Sequence, residues 1–169
     1  MKKLFLLLFL GAISTSLFAQ KGLNEVSVGA EIGLPTGTAS NALNIGLGGT
    51  AKGLYGVSTD GQVSFTTGYI RYGMDGAESG VSAGMSVIPI MPGYRHHFDK
   101  LYAEGQLGLV VVKSTFNYLG YSGSASTTDA SIGIGGGYLY NNFDFSLRYQ
   151  TYGTGFGTLG LRVGYKFSI

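Results

Sequence analysis

The chain has 169 residues, 30 of them glycine, and its formal net charge is +2. Lys2 and Lys3 supply that excess, so the remainder is formally neutral and offers no basic surface for nucleic acid. The absence of cysteine excludes disulfides, thiolate metal sites and a lipid-modified N-terminal cysteine.

The first 19 residues have the pattern of a secretory signal peptide. Lys2 and Lys3 precede an apolar run over residues 4–10, and small and polar residues follow as far as Ala19. The run is shorter than the roughly 20 apolar residues of a membrane-spanning helix, and Ala19 offers a cleavage site. We expect residues 1–19 to be removed and residues 20–169 to form one domain, with an uncleaved anchor as the alternative.

From residue 22 onward the apolar residues recur with a period of two, which predicts strands and no helices. Within the fourth predicted strand, Pro89 and Pro92 each lack a backbone donor, so a bulge or a weak edge is expected there. The predicted strands cover residues 25–34, 45–55, 62–73, 81–98, 101–111, 129–140, 143–151 and 159–169.

The connections between these strands alternate in length. Long loops are predicted at residues 35–43, 73–80 and 113–127, a loop of medium length at 153–157, and short turns at residues 58–61, 98–100 and 140–142. This alternation is typical of a meander whose short turns face the periplasm and whose loops face the outside. The predicted fold is therefore all-β: an eight-stranded, antiparallel, up-and-down transmembrane β-barrel.

Charged residues distinguish the two faces of the predicted strands. Charge is sparse, at 12% of residues against about 25% in soluble domains, and it is balanced on the polar face. Because a buried ion needs a partner, equal numbers favour a narrow lumen filled with salt bridges, for which inward glycines leave room. A soluble lipocalin-like barrel with the faces inverted is the alternative. The predicted lumen charges are Glu25, Glu31, Glu104, Asp129 and Asp144 with Lys52, Arg95, Arg148, Arg162 and Lys166.

Aromatic residues on the apolar face lie near the strand ends, as expected of interfacial girdles, although strand propensity explains part of the pattern. They are Tyr55, Tyr94, Tyr138, Tyr140, Phe143, Tyr165 and Phe167 toward the short-turn end, and Tyr69 and Tyr149 toward the other end.

Four segments together resemble the bacterial outer-membrane β-barrel family that includes OmpX and the transmembrane part of OmpA. They are IPIMPGYRHHF at 88–98, LYAEGQLGL at 101–109, FDFSLRYQ at 143–150 and LRVGYKFSI at 161–169. Tyr165, Phe167 and Ile169 resemble the C-terminal signal read by the barrel assembly machinery, although members usually end on an aromatic residue. The resemblance implies an outer-membrane monomer that contacts lipid and lipopolysaccharide and is delivered by periplasmic chaperones.

Three functions are compatible with this sequence. A non-enzymatic structural or adhesive barrel is favoured, and Phe116, Tyr118 and Tyr121 are candidates for docking a partner or sugar. A narrow passive pore is the alternative. A lipid-modifying enzyme is less favoured, because the two histidines, His96 and His97, lie at the predicted periplasmic end, away from the outer leaflet. No catalytic residue, metal site or cofactor is predicted.

Overall fold

The computed structural model describes residues 24–37, 40, 43–74, 81–118, 121–153 and 156–169, so the predicted signal peptide lies outside the described residues. Each strand pairs antiparallel with its neighbours in the chain, and β8 closes onto β1. The predicted fold class is confirmed. The strands are β1 (Asn24–Gly37), β2 (Gly46–Gly56), β3 (Gly61–Gly73), β4 (Val81–Phe98), β5 (Leu101–Tyr118), β6 (Tyr121–Tyr140), β7 (Phe143–Tyr152) and β8 (Phe156–Ser168).

Short turns join the strands at one end of the barrel, which is the periplasmic end in barrels of this kind. Asp99 and Asn141 begin two of these turns with φ of 60° and 52°, a left-handed conformation that Asp and Asn tolerate better than other side chains. Among the described residues, no helix is long and apolar enough to cross a membrane.

The register shows how far the strands are staggered. Paired residues lead once around the barrel from Glu25 through Leu54, Ser64, Gly93, Gln106, Gly133, Gln150 and Thr158 to Pro35, ten residues further along β1. With a rise of about 3.3 Å per residue and a strand spacing of about 4.8 Å, this stagger tilts the strands by roughly 40°. A row of paired residues therefore climbs roughly 3 Å toward the outside at each step from β1 to β8.

The prolines of β4 interrupt pairing without shifting it. The pairs of β4 with β3 keep one register on both sides of Pro89, and its pairs with β5 keep one register on both sides of Pro92. No extra residue is inserted, so β4 contains no bulge at these positions. Of the expected bulge or weak edge, the structure shows only that the backbone pairs are interrupted at the two prolines.

The prediction of a loop over residues 113–127 is wrong. β5 continues to Tyr118 and β6 begins at Tyr121, and the two pair along the whole length of this hairpin. Their outer halves alternate between small and polar residues, because both faces lie beyond the apolar belt and neither needs an apolar stripe. A period-two search therefore finds no strand there.

The distribution of apolar and charged residues is inverted relative to a soluble barrel. The outward side chains of Ile134, Leu107 and Leu47 are 68%, 65% and 63% exposed, whereas the inward Arg95 and Asp144 are fully buried. An exposed apolar belt is costly in water but favourable in a bilayer, where charged side chains face the lumen and not the lipid. The lipocalin-like alternative is therefore excluded, and the barrel spans a membrane.

Candidate functional site

Glu104 of β5 lies at the centre of the buried charge network. Its carboxylate accepts hydrogen bonds from Lys52 Nζ at 2.7 Å, Ser64 Oγ at 2.7 Å and Gln106 Nε2 at 2.8 Å. Arg95 Nη2 completes the group at 3.1 Å. Two cations and two neutral donors thus satisfy one carboxylate, which is what a buried ion requires in a medium of low dielectric constant.

Arg95 links this group to a second carboxylate, Asp144 of β7. The distance from Arg95 Nη2 to Asp144 Oδ2 is 3.2 Å, and Tyr102 donates its hydroxyl to Asp144 Oδ1 at 2.5 Å. The guanidinium of Arg95 also stacks over the Tyr102 ring, 3.6 Å from its centroid. Arg162 approaches Asp144 at 3.5 Å, so the network reaches from β2 to β8 across the lumen.

Two further ion pairs lie on either side of this centre. Arg148 contacts Glu31 at 2.6 Å on the outer side, and Lys166 contacts Glu25 at 2.8 Å in the periplasmic mouth. Nine of the ten lumen charges named from the sequence therefore lie within salt-bridge distance of an opposite charge in the described part of the chain.

Asp129 is the tenth residue, and the structure does not bring it to the others. It shares their inward parity on β6 but lies near the outer end, half-exposed, beside the turn residue Gly153. Among the described residues no cation lies within salt-bridge distance of it. Parity identifies which face a charge is on, but not its depth along the strand.

Inward glycines make room for the long charged side chains. A Cβ on Gly160 would lie 2.7 Å from Glu31 Oε1, and one on Gly164 would overlap the guanidinium of Arg162. A cavity of about 20 Å³ remains beside Glu31, Arg148 and Arg162. That volume holds about one water molecule.

An apolar cluster, which sequence reasoning missed, fills the outer half of the lumen. Its members are Leu43, Ile70, Tyr72, Met85, Val87, Val110 and Tyr152, and each is at most 9% exposed. The sequence contains a signal for this cluster, because the apolar residues Ile70, Val87 and Val110 lie at positions on the polar, inward face of their strands. The lumen is thus polar below and apolar above, and packed at both levels.

The two histidines have different surroundings. His97 points inward and contacts Gln62 Oε1 at 2.9 Å, while His96 points outward between Tyr94 and Phe98. Neither has a serine or threonine nucleophile among the contacts described for it. No group of three or more acidic or histidine side chains that could hold a metal ion occurs among the described residues.

The C-terminal strand carries its aromatic residues on the outer face. Tyr165 and Phe167 pack edge to face with centroids 4.8 Å apart, and Phe143 of β7 packs against Tyr165. Ile169 is 82% exposed and donates its backbone N–H to Asn24 at 2.9 Å, which ties the end of the chain to β1.

Three strands extend beyond the others at the outer end and form a sheet, made of residues 81–86 of β4, 113–118 of β5 and 121–129 of β6. On one side β6 pairs with β5 along its whole length, but β7 pairs with it only from Gly133 onward. In the described part of the chain, the edge of β6 over residues 121–129 therefore has no strand beside it.

Solved structures with a similar fold include an outer-membrane protein, Ail. Ail, the attachment invasion locus protein of Yersinia pestis, is 20% identical with a TM-score of 0.66, and 88% of this chain covers all of it. A second structure holds Ail in complex with the heparin analogue sucrose octasulfate.

The N-terminal β-barrel domain of Pseudomonas aeruginosa OprF is 24% identical with a TM-score of 0.55, and 87% of this chain covers all of that domain. Neisserial surface protein A is 16% identical with a TM-score of 0.55, and 86% of this chain covers 97% of it. No protein-family model and no curated protein matches the sequence. The inverted barrel and its eight staggered strands thus give this chain the fold of the small outer-membrane β-barrels.

Proposed function

We propose that this chain is a non-enzymatic, monomeric barrel of the bacterial outer membrane that holds an interaction surface outside the cell. The observation that carries the proposal is the uncovered edge of β6. From Lys113 to Tyr118, β5 extends five residues, roughly 16 Å, beyond the upper limit of the apolar belt, and β6 returns beside it. A stiff sheet then presents an unpaired edge to whatever approaches the cell.

The chemistry of this edge supports a polypeptide partner. Residues 122–128 read SGSASTT, without charge or proline, whereas exposed edges in most proteins are protected by lysine, proline or a bulge. The carbonyl of Ala130 accepts from Gly153 N and the amide of Ile132 donates to Thr151, so even-numbered residues of β6 direct their backbone away from β5. An extended chain could add as a further strand along Ser122, Ser124, Ser126 and Thr128.

The packed lumen supports an anchoring role over a pore. The charge network leaves a cavity of about 20 Å³ beside Arg148, room for about one water molecule, and the apolar cluster fills the lumen above it. The closed barrel would hold the extended sheet rigidly above the membrane. Phe116, at 56% exposure, is available on that sheet for an aromatic contact.

Assembly is the second part of the proposal. The exposed faces of Tyr165, Phe167 and Ile169 are where the barrel assembly machinery would read this strand after chaperone delivery through the periplasm. Outer-membrane lipid and lipopolysaccharide would surround the finished belt.

The backbone of the β6 edge can be tested separately from its side chains. The variant Ser124→Pro/Ser126→Pro removes two amide donors that face away from β5, and Ser124→Ala/Ser126→Ala is the matched control that keeps them. Each protein in lipid nanodiscs is assayed for binding to cultured epithelial cells and to immobilised matrix proteins. We expect the wild type and the alanine variant to bind, and the proline variant to lose about tenfold in affinity.

Equal binding by the proline variant would rule out strand addition at this edge. Absence of binding by the wild type in both assays would count against an adhesive role altogether. Heat-modifiable gel migration of each variant verifies that its barrel has folded.

A further inference from the structure

Two cations point outward at the upper limit of the apolar belt. Arg71 of β3 and Lys113 of β5 are both exposed and lie on the lipid-facing parity of their strands. Ser86 of β4 stands between them, paired in register with Arg71 on one side and with Lys113 on the other. The Cα atoms of the two cations are therefore about 10 Å apart across two strand spacings.

The depth of this row matches the lipid headgroups. The exposed residues Tyr69 and Ile88 lie two positions below Arg71 and Ser86, and Val111 lies two positions below Lys113. The strand tilt raises Lys113 roughly 6 Å above Arg71. One cation thus lies at the upper edge of the hydrocarbon and the other just above it.

The row contrasts with the lumen in its charge balance. The lumen cations Lys52, Arg95, Arg148, Arg162 and Lys166 each contact a carboxylate. No carboxylate of the described residues lies within salt-bridge distance of Arg71 or Lys113. Exposed cations at the edge of a membrane attract the anionic groups of the membrane surface.

The surface around the row carries hydroxyl and amide groups. A recess of about 360 Å³ lies against Arg71, Gly84, Thr115, Asn117, Ser122 and Ser124. A Cβ on Gly84 would meet Arg71 Nη2 at 3.7 Å, so the guanidinium extends over β4 toward this recess. At the lower edge of the recess, the hydroxyls of Tyr69 and Ser86 form a hydrogen bond of 2.7 Å. Hydroxyl and amide groups beside cations suit a phosphorylated sugar, since they can bond its hydroxyls while the cations bind its phosphate.

We propose that Arg71, Ser86 and Lys113 bind the phosphorylated sugar headgroup of an outer-leaflet glycolipid, that is, of lipopolysaccharide. The depth of the row selects a lipid over a soluble glycan, because a headgroup arrives there with its acyl chains already against Tyr69, Ile88 and Val111. The site is separate from the proposed strand addition, which uses the backbone edge of β6.

The test compares three probes on the detergent-refolded barrel, residues 20–169, by native mass spectrometry. They are bisphosphorylated lipid A, the same lipid without phosphates, and the acyl-free disaccharide bisphosphate. The variant Arg71→Gln/Lys113→Gln removes both cations, and Lys100→Gln is a matched control that removes an exposed cation at the periplasmic turn. We expect the wild type and Lys100→Gln to prefer bisphosphorylated lipid A by about tenfold or more, and the double variant to lose that preference.

Each outcome decides the proposal. Retention of the preference by the double variant would overturn it, as would equal binding of the dephosphorylated lipid by the wild type. Equally tight binding of the acyl-free disaccharide would overturn the lipid source and indicate a soluble anionic sugar. Because both cations are exposed, the double variant should keep the heat-modifiable migration of a folded barrel, which the same sample verifies.

Discussion

Arg148 of β7 and Glu31 of β1 form a 2.6 Å ion pair across an intervening strand. Between them lies Gly160 of β8, which pairs with Arg148 in the sheet and has no side chain to separate the two charges. The contact therefore depends as much on the missing Cβ of β8 as on the two ions.

Replacing this glycine should break the ion pair. In Gly160→Val, the new side chain displaces Glu31 from Arg148 and leaves both ions poorly compensated. We expect a loss of about 1–3 kcal/mol in the free energy of unfolding, measured by denaturant titration in lipid vesicles. Gly105→Val is the matched control, since nothing lies within 4 Å of a Cβ at Gly105. A similar loss in both variants would show that strand backbone effects dominate.

Removing the charge at the centre of the network should be more damaging. Glu104→Gln leaves Lys52 without a counter-ion and Arg95 with Asp144 alone. We therefore expect the free energy of unfolding, measured by denaturant titration in lipid vesicles, to fall by about 3–5 kcal/mol. Asp129→Asn, on the same parity but without an ion pair among the described residues, should cost less than about 0.5 kcal/mol.

A second variant separates the loss of the Glu104 charge from the cost of leaving Lys52 unpaired. In Lys52→Met/Glu104→Gln both members of the 2.7 Å pair become neutral, and the combined loss should be smaller than the sum of the single losses. Strict additivity in the denaturant titration would mean that Lys52 and Glu104 do not interact.

A charged side chain introduced into the apolar belt should cost more stability near the middle of the membrane than near its edge. Ile134 is 68% exposed near the middle of the outward face, whereas Val63 lies close to the periplasmic turn. Ile134→Arg should cost about 2–4 kcal/mol and Val63→Arg about 0–1 kcal/mol in vesicle unfolding. Equal costs at the two positions would be inconsistent with a hydrocarbon belt centred on Ile134.

The packed lumen should not conduct. With about 20 Å³ free beside Arg148 and the apolar cluster around Tyr72 and Tyr152 above it, we expect no reproducible open steps for the purified barrel in a planar bilayer. A water-filled porin added under the same conditions shows that the bilayer can report conduction. Regular steps from the barrel would revive the passive pore.

Much of the fold could be predicted because strand periodicity is local. The alternation of Phe143, Phe145 and Leu147 with Asp144 and Arg148 specifies a strand with one lipid face, whatever lies beside it. The alternation of short turns with longer loops and the balance of acids and bases then restrict the architecture to a narrow barrel. The outer halves of β5 and β6 could not be predicted in this way. Both of their faces lie beyond the apolar belt, so no alternation of apolar and polar residues marks them as strands.

The partners inside the lumen could not be predicted in this way. Glu104 and Lys52 are 52 residues apart on strands that are not neighbours, and they meet because the ten-residue stagger brings them to one level. Parity also placed Asp129 with the other charges, while its depth separates it from them.

By itself the sequence determined the strands, their lipid-facing side and the inward position of the charges, since these follow from a period of two and from turn residues. Only the tertiary structure decided which charges pair, that an apolar cluster closes the outer half of the lumen, and that Arg71 and Lys113 share a row with Ser86. The physical reason is that strand tilt and closure set the height of each residue, and height depends on all eight strands at once.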